Sequence, residues 1–306
     1  MIEKIVGRGL ANISVIMPAY NAANTIERAL SSVIAQTLNP REVIVIDDGS
    51  IDETFNRANN YKEKMGEIEL KVFRQINSGA GSSRNKAISE SRFEIIAFLD
   101  SDDEWLPEKL EKSIDYMNTG PHVLVAHNGW IVKNKAEFYL DIASRFKAAK
   151  NKKFQGLYKR GFISTSSVVV LRNAVNKAGG FDTNLRSGQD FDLWLKILGN
   201  FDVSWLVFEE PLSRYYVMEK SITSYTQRRL QNTLTIAIRH APILNDHPGS
   251  AICSFWFRLT VIHGEAIKAY ISRQQYIEVI QTIAMFLLRI PGLTLLHGKM
   301  ILGPNK

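Results

Sequence analysis

Val43-Ile44-Val45-Ile46-Asp47-Asp48-Gly49-Ser50 is the stretch that decides the fold. Four β-branched residues in a row offer no polar side to water. They read as a strand buried on both faces, which is the mark of a parallel sheet covered by helices. The run stops abruptly at two acids and a glycine. The same grammar holds on either side of it: Ile13-Ser-Val-Ile-Met17 ends at Pro18, and Ile95-Ile-Ala-Phe-Leu99 ends at Asp100. Between these runs, Ile26, Ala29, Leu30, Val33 and Ile34 recur at helical spacing after an Asn24/Glu27 start signal. A second helical pattern begins at Asp52, and a strand-like stretch follows at Glu69 to Phe73. Apolar strands alternating with helices predict βαβ units and an α/β, Rossmann-like, mainly parallel sheet flanked by helices. Such sheets bind ligands beyond the carboxyl ends of their strands. Here those ends deliver Tyr20-Asn21, Asp47-Asp48 and Asp100-Ser101-Asp102-Asp103 to one rim.

Composition narrows the function. The chain has 306 residues, 45% hydrophobic and 23% charged, with a single cysteine, Cys253. That excludes a disordered chain and a disulfide framework, and leads us to expect a reducing compartment. Of the net charge of +7, the segment 226–306 holds nine Lys/Arg against three Asp/Glu, whereas 1–225 is close to neutral. The surplus is confined to the tail, so nucleic acid is not an expected partner. The N-terminus has an early acid and no uninterrupted apolar stretch. The run Ile277 to Leu296 is broken by Glu278, Arg289 and Pro291. Neither a signal peptide nor a spanning helix is expected, and a cytoplasmic location is.

The acids at 100–103 put three carboxylates within four positions after a buried strand, an arrangement that calls for a compensating cation. Hard oxygen donors of this kind suit Mg²⁺ or Mn²⁺ bridging to substrate phosphates. The plainer reading is a set of solvated acids capping a helix near Pro107. Asp47 and Asp48 are open between turn formation and recognition of a base edge, and Tyr20 between stacking and packing. Asn77-Ser-Gly-Ala-Gly81 followed by Arg84 is a glycine-rich turn feeding a helix, suited to phosphate oxygens, though not with the spacing of a dinucleotide fingerprint or a P-loop. Asp190, at a predicted helix start, serves either as a cap or as a general base.

Taken together, Ile13-Ser-Val-Ile-Met-Pro-Ala-Tyr-Asn21, Val43 to Ser50, Phe98-Leu-Asp-Ser-Asp-Asp-Glu-Trp105, and Gly179-Gly-Phe181 with Gly188-Gln-Asp-Phe-Asp-Leu-Trp194 resemble glycosyltransferase family 2 in order and spacing over about residues 12–225. The resemblance implies a GT-A fold over 1–225 with a helical C-terminal extension over 226–306. It also implies a nucleotide-diphospho-sugar donor, most often UDP-linked, a divalent metal (Mn²⁺ or Mg²⁺), and transfer with inversion. By the same resemblance, Pro18, Ala19, Tyr20 and Asp48 line the nucleobase and ribose pocket, and Arg84 and Ser101 lie beside the nucleotide. Asp100 and Asp102 form the D-x-D metal pair, with Asp102 the direct ligand, and Asp190 is the catalytic base. Two departures stand out. Gln189 occupies a position where the family usually has Glu, which removes a like charge beside the base. The stretch Tyr215-Tyr-Val-Met-Glu-Lys-Ser221 lacks the Arg and His of many relatives, leaving Lys220 as the cation there. The rival reading is a non-catalytic sugar-nucleotide-binding protein of the same fold.

The middle of the chain, about Asn128 to Gly161, is lysine-rich and without a motif, and is expected to contact a glycan or lipid-linked glycan acceptor. In the tail, Ile267, Ile271, Tyr276, Ile280 and Ile283 to Leu288 give broad apolar helix faces among basic residues. Packing on protein and peripheral attachment to an anionic inner membrane leaflet are both open readings of that pattern.

Overall fold

The structure, a computed structural model, describes residues 10–217 and 226–302, with side chains as far as residue 292. In chain order the elements are β1 (Ala11–Ala19), α1 (Ile26–Ile34), β2 (Pro40–Asp47), α2 (Thr54–Asn60), β3 (Glu69–Arg74), α3 (Ala80–Ser89), β4 (Ile95–Phe98), β5 (Glu104–Trp105), α4 (Lys109–Met117), β6 (His122–His127), β7 (Gly129–Lys133), β8 (Ala136–Leu140), α5 (Ala143–Ala148), α6 (Lys153–Arg160), β9 (Val169–Leu171), α7 (Arg172–Lys177), α8 (Gln189–Leu198), β10 (Ser204–Phe208), β11 (Ser213–Tyr216), α9 (Thr226–His240), α10 (Ala251–Ile271) and α11 (Tyr276–Leu302).

The residues fall into two compact units. The first takes in Met1–Arg145, Ile163–Asn184 and Gln189–Met218. Its seven-stranded sheet runs β10-β6-β9-β4-β1-β2-β3. The β4-β1-β2-β3 and β10-β6 neighbours are parallel, and β9 joins the two groups antiparallel to both β4 and β6. Val43 to Ile46 are fully buried, as a strand covered on both faces requires. Each such side chain contributes about 1.5–3 kcal/mol of burial. Because β4, β1 and β2 are adjacent and parallel, Asp100, Tyr20 and Asp48 leave the sheet along one edge. The start of α1 departs slightly from the sequence signal: Thr25, not Asn24, takes the capping position, and it makes no side-chain cap bond.

The chain turns at Thr165–Ser167 before β9 begins at Val169. The Ser167 hydroxyl donates to the Ser164 carbonyl (2.7 Å), and the local serine hydroxyls hold the turn. The motif-poor middle forms the β7–β8 hairpin, part of a four-stranded sheet of order β5-β11-β7-β8. Behind the main sheet, Lys109 is fully buried. Its Nζ lies 4.1 Å from the Trp105 ring centroid and has no hydrogen-bond partner among the described residues. Burial, followed by the nearby Lys109 charge, pushes the His127 imidazole down to about 3.

The second unit takes in Phe146–Phe162, Leu185–Gly188 and Glu219–Lys306, so it draws in α6 as well as the tail helices. Phe154, Leu157 and Tyr158 give α6 an apolar face. The Tyr158 hydroxyl donates to the Ala237 carbonyl of α9 (2.7 Å), and Phe154 stacks on His247. No described helix is long and apolar enough to cross a membrane.

Candidate active site

All of the site residues below belong to the first unit. Pro18 and Ala19 are buried at the end of β1, where the Ala19 carbonyl accepts from the Asp48 N–H (2.8 Å). Proline fits there because the strand is ending and one missing ladder donor is tolerated. Tyr20 is 52% exposed, with its ring beyond the sheet edge. The next residue, Asn21, takes a left-handed φ of 50° and accepts from the Ile51 N–H (3.0 Å), locking the β1 end to the 47–51 turn.

Asp47 and Asp48 divide the work of that turn. Asp47 accepts from the Ser50 N–H (3.2 Å) and pairs with Arg74 Nε (3.0 Å). Asp48 is buried; its Oδ1 accepts from Gln75 Nε2 (2.7 Å) and the Ser78 N–H (2.9 Å), and its Oδ2 from the Gly79 N–H (2.8 Å). Three of its four lone-pair directions therefore hold the 75–79 loop, which leaves one for another group. Gly49 is required by the same close approach. It has φ +74°, and a Cβ there would stand 2.9 Å from the Asn77 backbone nitrogen.

The glycine-rich turn feeds α3, as its pattern predicts, and places Arg84 one turn in. Its Nη2 donates to Asp100 Oδ1 at 2.6 Å, and its guanidinium carbon sits 5.3 Å from the Phe181 ring centroid. Phe181 is clamped to α3 by Asn85, which donates to its carbonyl (2.9 Å) and accepts from its N–H (2.9 Å). Gly180, at φ +71°, lets that clamp close, since a Cβ would fall 2.7 Å from Asn85 Oδ1. This explains the Gly179-Gly-Phe181 motif as packing. Burial alone would weaken the Arg84 charge. Asp100 outweighs that, with Asp190 and Asp102 adding to it, so the guanidinium is held above its ordinary range.

The three acids of the 100–103 turn have different surroundings. Asp100 accepts from Arg84, and its own N–H donates to Ser166 Oγ (3.1 Å). Asp103 is buried and turned inward, accepting from the Ser166 hydroxyl (2.6 Å) and the Tyr216 N–H (3.3 Å). Burial and the charges of Asp100 and Asp102 push its carboxyl well up. Asp102 is left between them: burial first, and then the Asp100 charge, raise it to about 6. Ser101 is buried in the turn. Among the described residues no trio of His, Cys, Asp or Glu is gathered for a metal. What the turn offers is two hard-oxygen side chains, Asp100 and Asp102, in a spot short of positive charge. That donor set fits Mg²⁺ or Mn²⁺, which take one or two carboxylates and complete their shell with substrate phosphates and water.

Asp190 lies in the first turn of α8, half-buried, and accepts from the Thr165 hydroxyl at 3.0 Å. Arg84 thus has electrostatic contact with Asp100, Asp102 and Asp190 at once. Gln189 is buried, with its amide 3.4 Å from where a Cβ on Gly81 would sit, so α8 packs on the glycine-rich turn. Of the predicted residues, the structure gathers Arg84, Asp100, Asp102 and Asp190 in one group. Pro18, Ala19 and Tyr20 adjoin Asp48 along the sheet edge. Lys220 lies outside the described residues.

Sequence reasoning missed Arg28, Thr165 and Ser166. Arg28 Nη2 donates to the Asp102 carbonyl (2.5 Å), and its guanidinium lies 3.6 Å from the Tyr216 ring centroid. Tyr216 in turn donates to Glu104 Oε2 (2.8 Å). The Ser164-Thr-Ser-Ser167 run was the available signal for two of these residues, whereas a single Arg on an amphipathic helix gave none.

With this geometry in place, comparisons with known proteins decide the family. The family model of glycosyl transferase family 2 matches residues 14–179. The chain belongs to glycosyl transferase family 2. It is 30% identical over 250 residues to the Escherichia coli UDP-Glc:alpha-D-GlcNAc-diphosphoundecaprenol beta-1,3-glucosyltransferase WfgD, covering 82% of this chain and 92% of that one. It is also 30% identical over 221 residues to the putative teichuronic acid biosynthesis glycosyltransferase TuaG of Bacillus subtilis, covering 72% of this chain and 85% of that one. Among solved structures, S. aureus TarS residues 1–349 in complex with UDP-GlcNAc superposes with a TM-score of 0.66 at 19% identity, over 90% of this chain and 80% of that one. The mannosyltransferase PcManGT of Pyrobaculum calidifontis, in complex with GDP-Man and Mn2+, gives a TM-score of 0.61 at 17% identity, over 96% and 86%. The fold of this glycosyltransferase is therefore GT-A, with a mainly parallel sheet and a helical C-terminal region.

Proposed function

We propose that this glycosyltransferase moves a sugar from a UDP-sugar to a hydroxyl of a lipid-diphosphate-linked glycan, with inversion at the anomeric carbon, in the building of a cell-surface polysaccharide at the cytoplasmic face of the membrane. The observation that carries this reading is the buried guanidinium of Arg84, which donates to Asp100 (2.6 Å) and lies within electrostatic reach of Asp102 and Asp190. It supports a reading in which Asp100 and Asp102 serve the donor diphosphate and Asp190 serves the acceptor. The names of the E. coli and S. aureus relatives support the UDP-linked donor, and the E. coli name supports the lipid-linked acceptor.

In this reading Pro18, Ala19 and Tyr20 bound the base and ribose, with the Tyr20 ring as a stacking face and Asp48 holding the loop beside it. Ser101 backs the turn that carries Asp100 and Asp102. Asp100 and Asp102 would hold the divalent cation, whose chemistry when bound is to neutralise charge on the leaving diphosphate. Arg84 adds a fixed positive charge beside the same diphosphate. Asp190, oriented by Thr165, takes the proton of the acceptor hydroxyl as that oxygen attacks the anomeric carbon. The bond from that carbon to the diphosphate oxygen breaks, and the nucleoside diphosphate departs with the electron pair.

The test is a thermal-shift screen of nucleotide sugars with Mn²⁺, followed by transfer assays on Asp102→Ala and Asp190→Ala. One donor should stabilise the protein in a concentration-dependent way, and both variants should lose turnover. Unchanged turnover in both would overturn the mechanism.

A further inference from the structure

Helix α11 has two apolar faces, and the fold uses only one. The half-buried side of the helix carries Val279, Thr282, Phe286 and Ile290, and Phe286 meets His263 of α10 with ring centroids 4.3 Å apart. The opposite side should then be polar, as on any surface helix of a globular protein. Instead it presents Tyr276, Ile277 (70% exposed), Ile280 (68%), Ile283, Leu287 and Leu288 (80%). These positions recur at three- and four-residue intervals, so they form one continuous stripe rather than scattered exceptions.

The charges around the stripe have one sign. Arg289 is exposed one residue beyond Leu288, on the flank of the helix toward His263, and Arg273 stands just before the start of the stripe. The only carboxylate of the helix in the described region, Glu278, is on the half-buried side. The segment 226–306 as a whole carries nine basic residues against three acidic. A second copy of this chain would bring the same surplus of positive charge against itself. An anionic lipid surface complements it, takes up the aliphatic side chains, and gives the long arginines a polar layer to reach. Tyr276 at one end, with an apolar ring and a polar tip, suits the boundary between headgroup and acyl chain.

We infer that the exposed face of α11 docks flat on an anionic membrane surface. It is an interfacial helix, not a spanning one, in keeping with the absence of any described helix long and apolar enough to cross. The inference deepens the proposed function and rests on its lipid-linked acceptor: a docked α11 confines the enzyme to the surface where such an acceptor resides.

The experiment uses the full chain and vesicles of phosphatidylcholine alone or mixed with phosphatidylglycerol. The wild type should co-sediment with the mixed vesicles, release as salt is raised, and bind the neutral vesicles at least ~10-fold less. Leu287→Glu with Leu288→Glu should reduce binding to the mixed vesicles ~10-fold or more, because each change removes buried apolar area and adds repulsion. Arg273→Gln should weaken binding about fivefold. Thermal stabilisation by UDP-glucose with Mn²⁺ is measured on the same preparations and should be unchanged in every variant, which also shows that each one folds. Absence of wild-type binding to the mixed vesicles, or equal binding by the Leu287→Glu/Leu288→Glu variant, overturns the inference. So does a wild-type dimer in sedimentation equilibrium that this double variant converts to monomer without any vesicle binding, since a second copy would then cover the face. Loss of the nucleotide-sugar response with vesicle binding intact would instead count against the donor reading.

Discussion

Two buried acid sites sit at opposite edges of the same sheet, and they are solved in opposite ways. At the amino-terminal edge, Glu42 of β2 accepts from the Ser14 hydroxyl (2.7 Å), the Arg92 N–H (2.7 Å), Lys71 Nζ (2.8 Å) and Arg92 Nε (3.0 Å). Burial works to raise its carboxyl, but the Arg92 N–H, Lys71 and Ser14 together outweigh burial and bring it below the ordinary range. At the carboxyl-terminal edge, Asp100 and Asp103 have partners, yet Asp102 stays pushed up to about 6 by burial and by Asp100. One edge is complete in itself. The other is left short of positive charge at the place where a donor diphosphate and its cation would bring it. A fold that can satisfy a buried carboxylate fully at one end, and does not at the other, keeps the second in a state that binding relieves.

The comparison can be broken most severely at Asp190. Asp190→Asn should lower transfer by about 10²–10⁴-fold while the thermal shift with UDP-glucose and Mn²⁺ persists, since a proton acceptor is lost and donor contacts are not. Steady-state rates beside a thermal-shift titration would check this. Asp102→Asn should abolish the Mn²⁺-dependent part of that shift. Without ligand the same variant should gain about 1–3 kcal/mol in urea unfolding, because a like charge is removed from a crowded turn. The mirror-image change, Glu42→Gln, should cost about 1–3 kcal/mol, because charge-assisted partners are left unmatched. The sign of its pH dependence follows from its direction. With the folded value below the ordinary 4.5, the contribution of Glu42 is fully present above that pH and is lost as pH falls, so Glu42→Gln should flatten the acid limb of stability against pH. A smaller effect per pH unit sharpens the picture between the two edges. His127 titrates near 3 in the fold against an ordinary 6.5, so between those values only the unfolded chain binds the proton. Stability should therefore fall as pH drops below 6.5, by about 1.4 kcal/mol per unit, and His127→Phe should remove that slope in unfolding curves taken from pH 7 to 5.

How much of this was legible in the sequence follows from what each residue's neighbours are. The edge of β1, β2 and β4 could be read because a β-branched run that halts at an acid marks a buried strand ending in solvent, whatever surrounds it. Arg84 could be read from the glycine-rich turn before it. The division of labour among Asp100, Asp102 and Asp103 could not, because it is set by Ser166 and the Tyr216 N–H, which arrive from β9's turn and from β11. The β7–β8 hairpin was missed because four of the five β8 residues are exposed, leaving no apolar period to detect. Asp48 illustrates an intermediate case. Turn formation and recognition of a base edge were its two open readings, and the structure adds a third role, three bonds that hold the 75–79 loop.

Strand β9 sets a schedule for the chain as it is made. It lies between β4 and β6 in space but follows both in sequence by more than forty residues. Until Ser166 has left the ribosome, the Asp100 N–H and the Asp103 carboxylate lack their common partner, and β6 has no strand to join it to β4. Pairings across such separations form late and slowly, with strand edges open meanwhile. The acidic turn therefore takes its full set of partners only after Ser166 and then Tyr216 have been made, so a nascent chain stalled before residue 163 would carry the motif without the site.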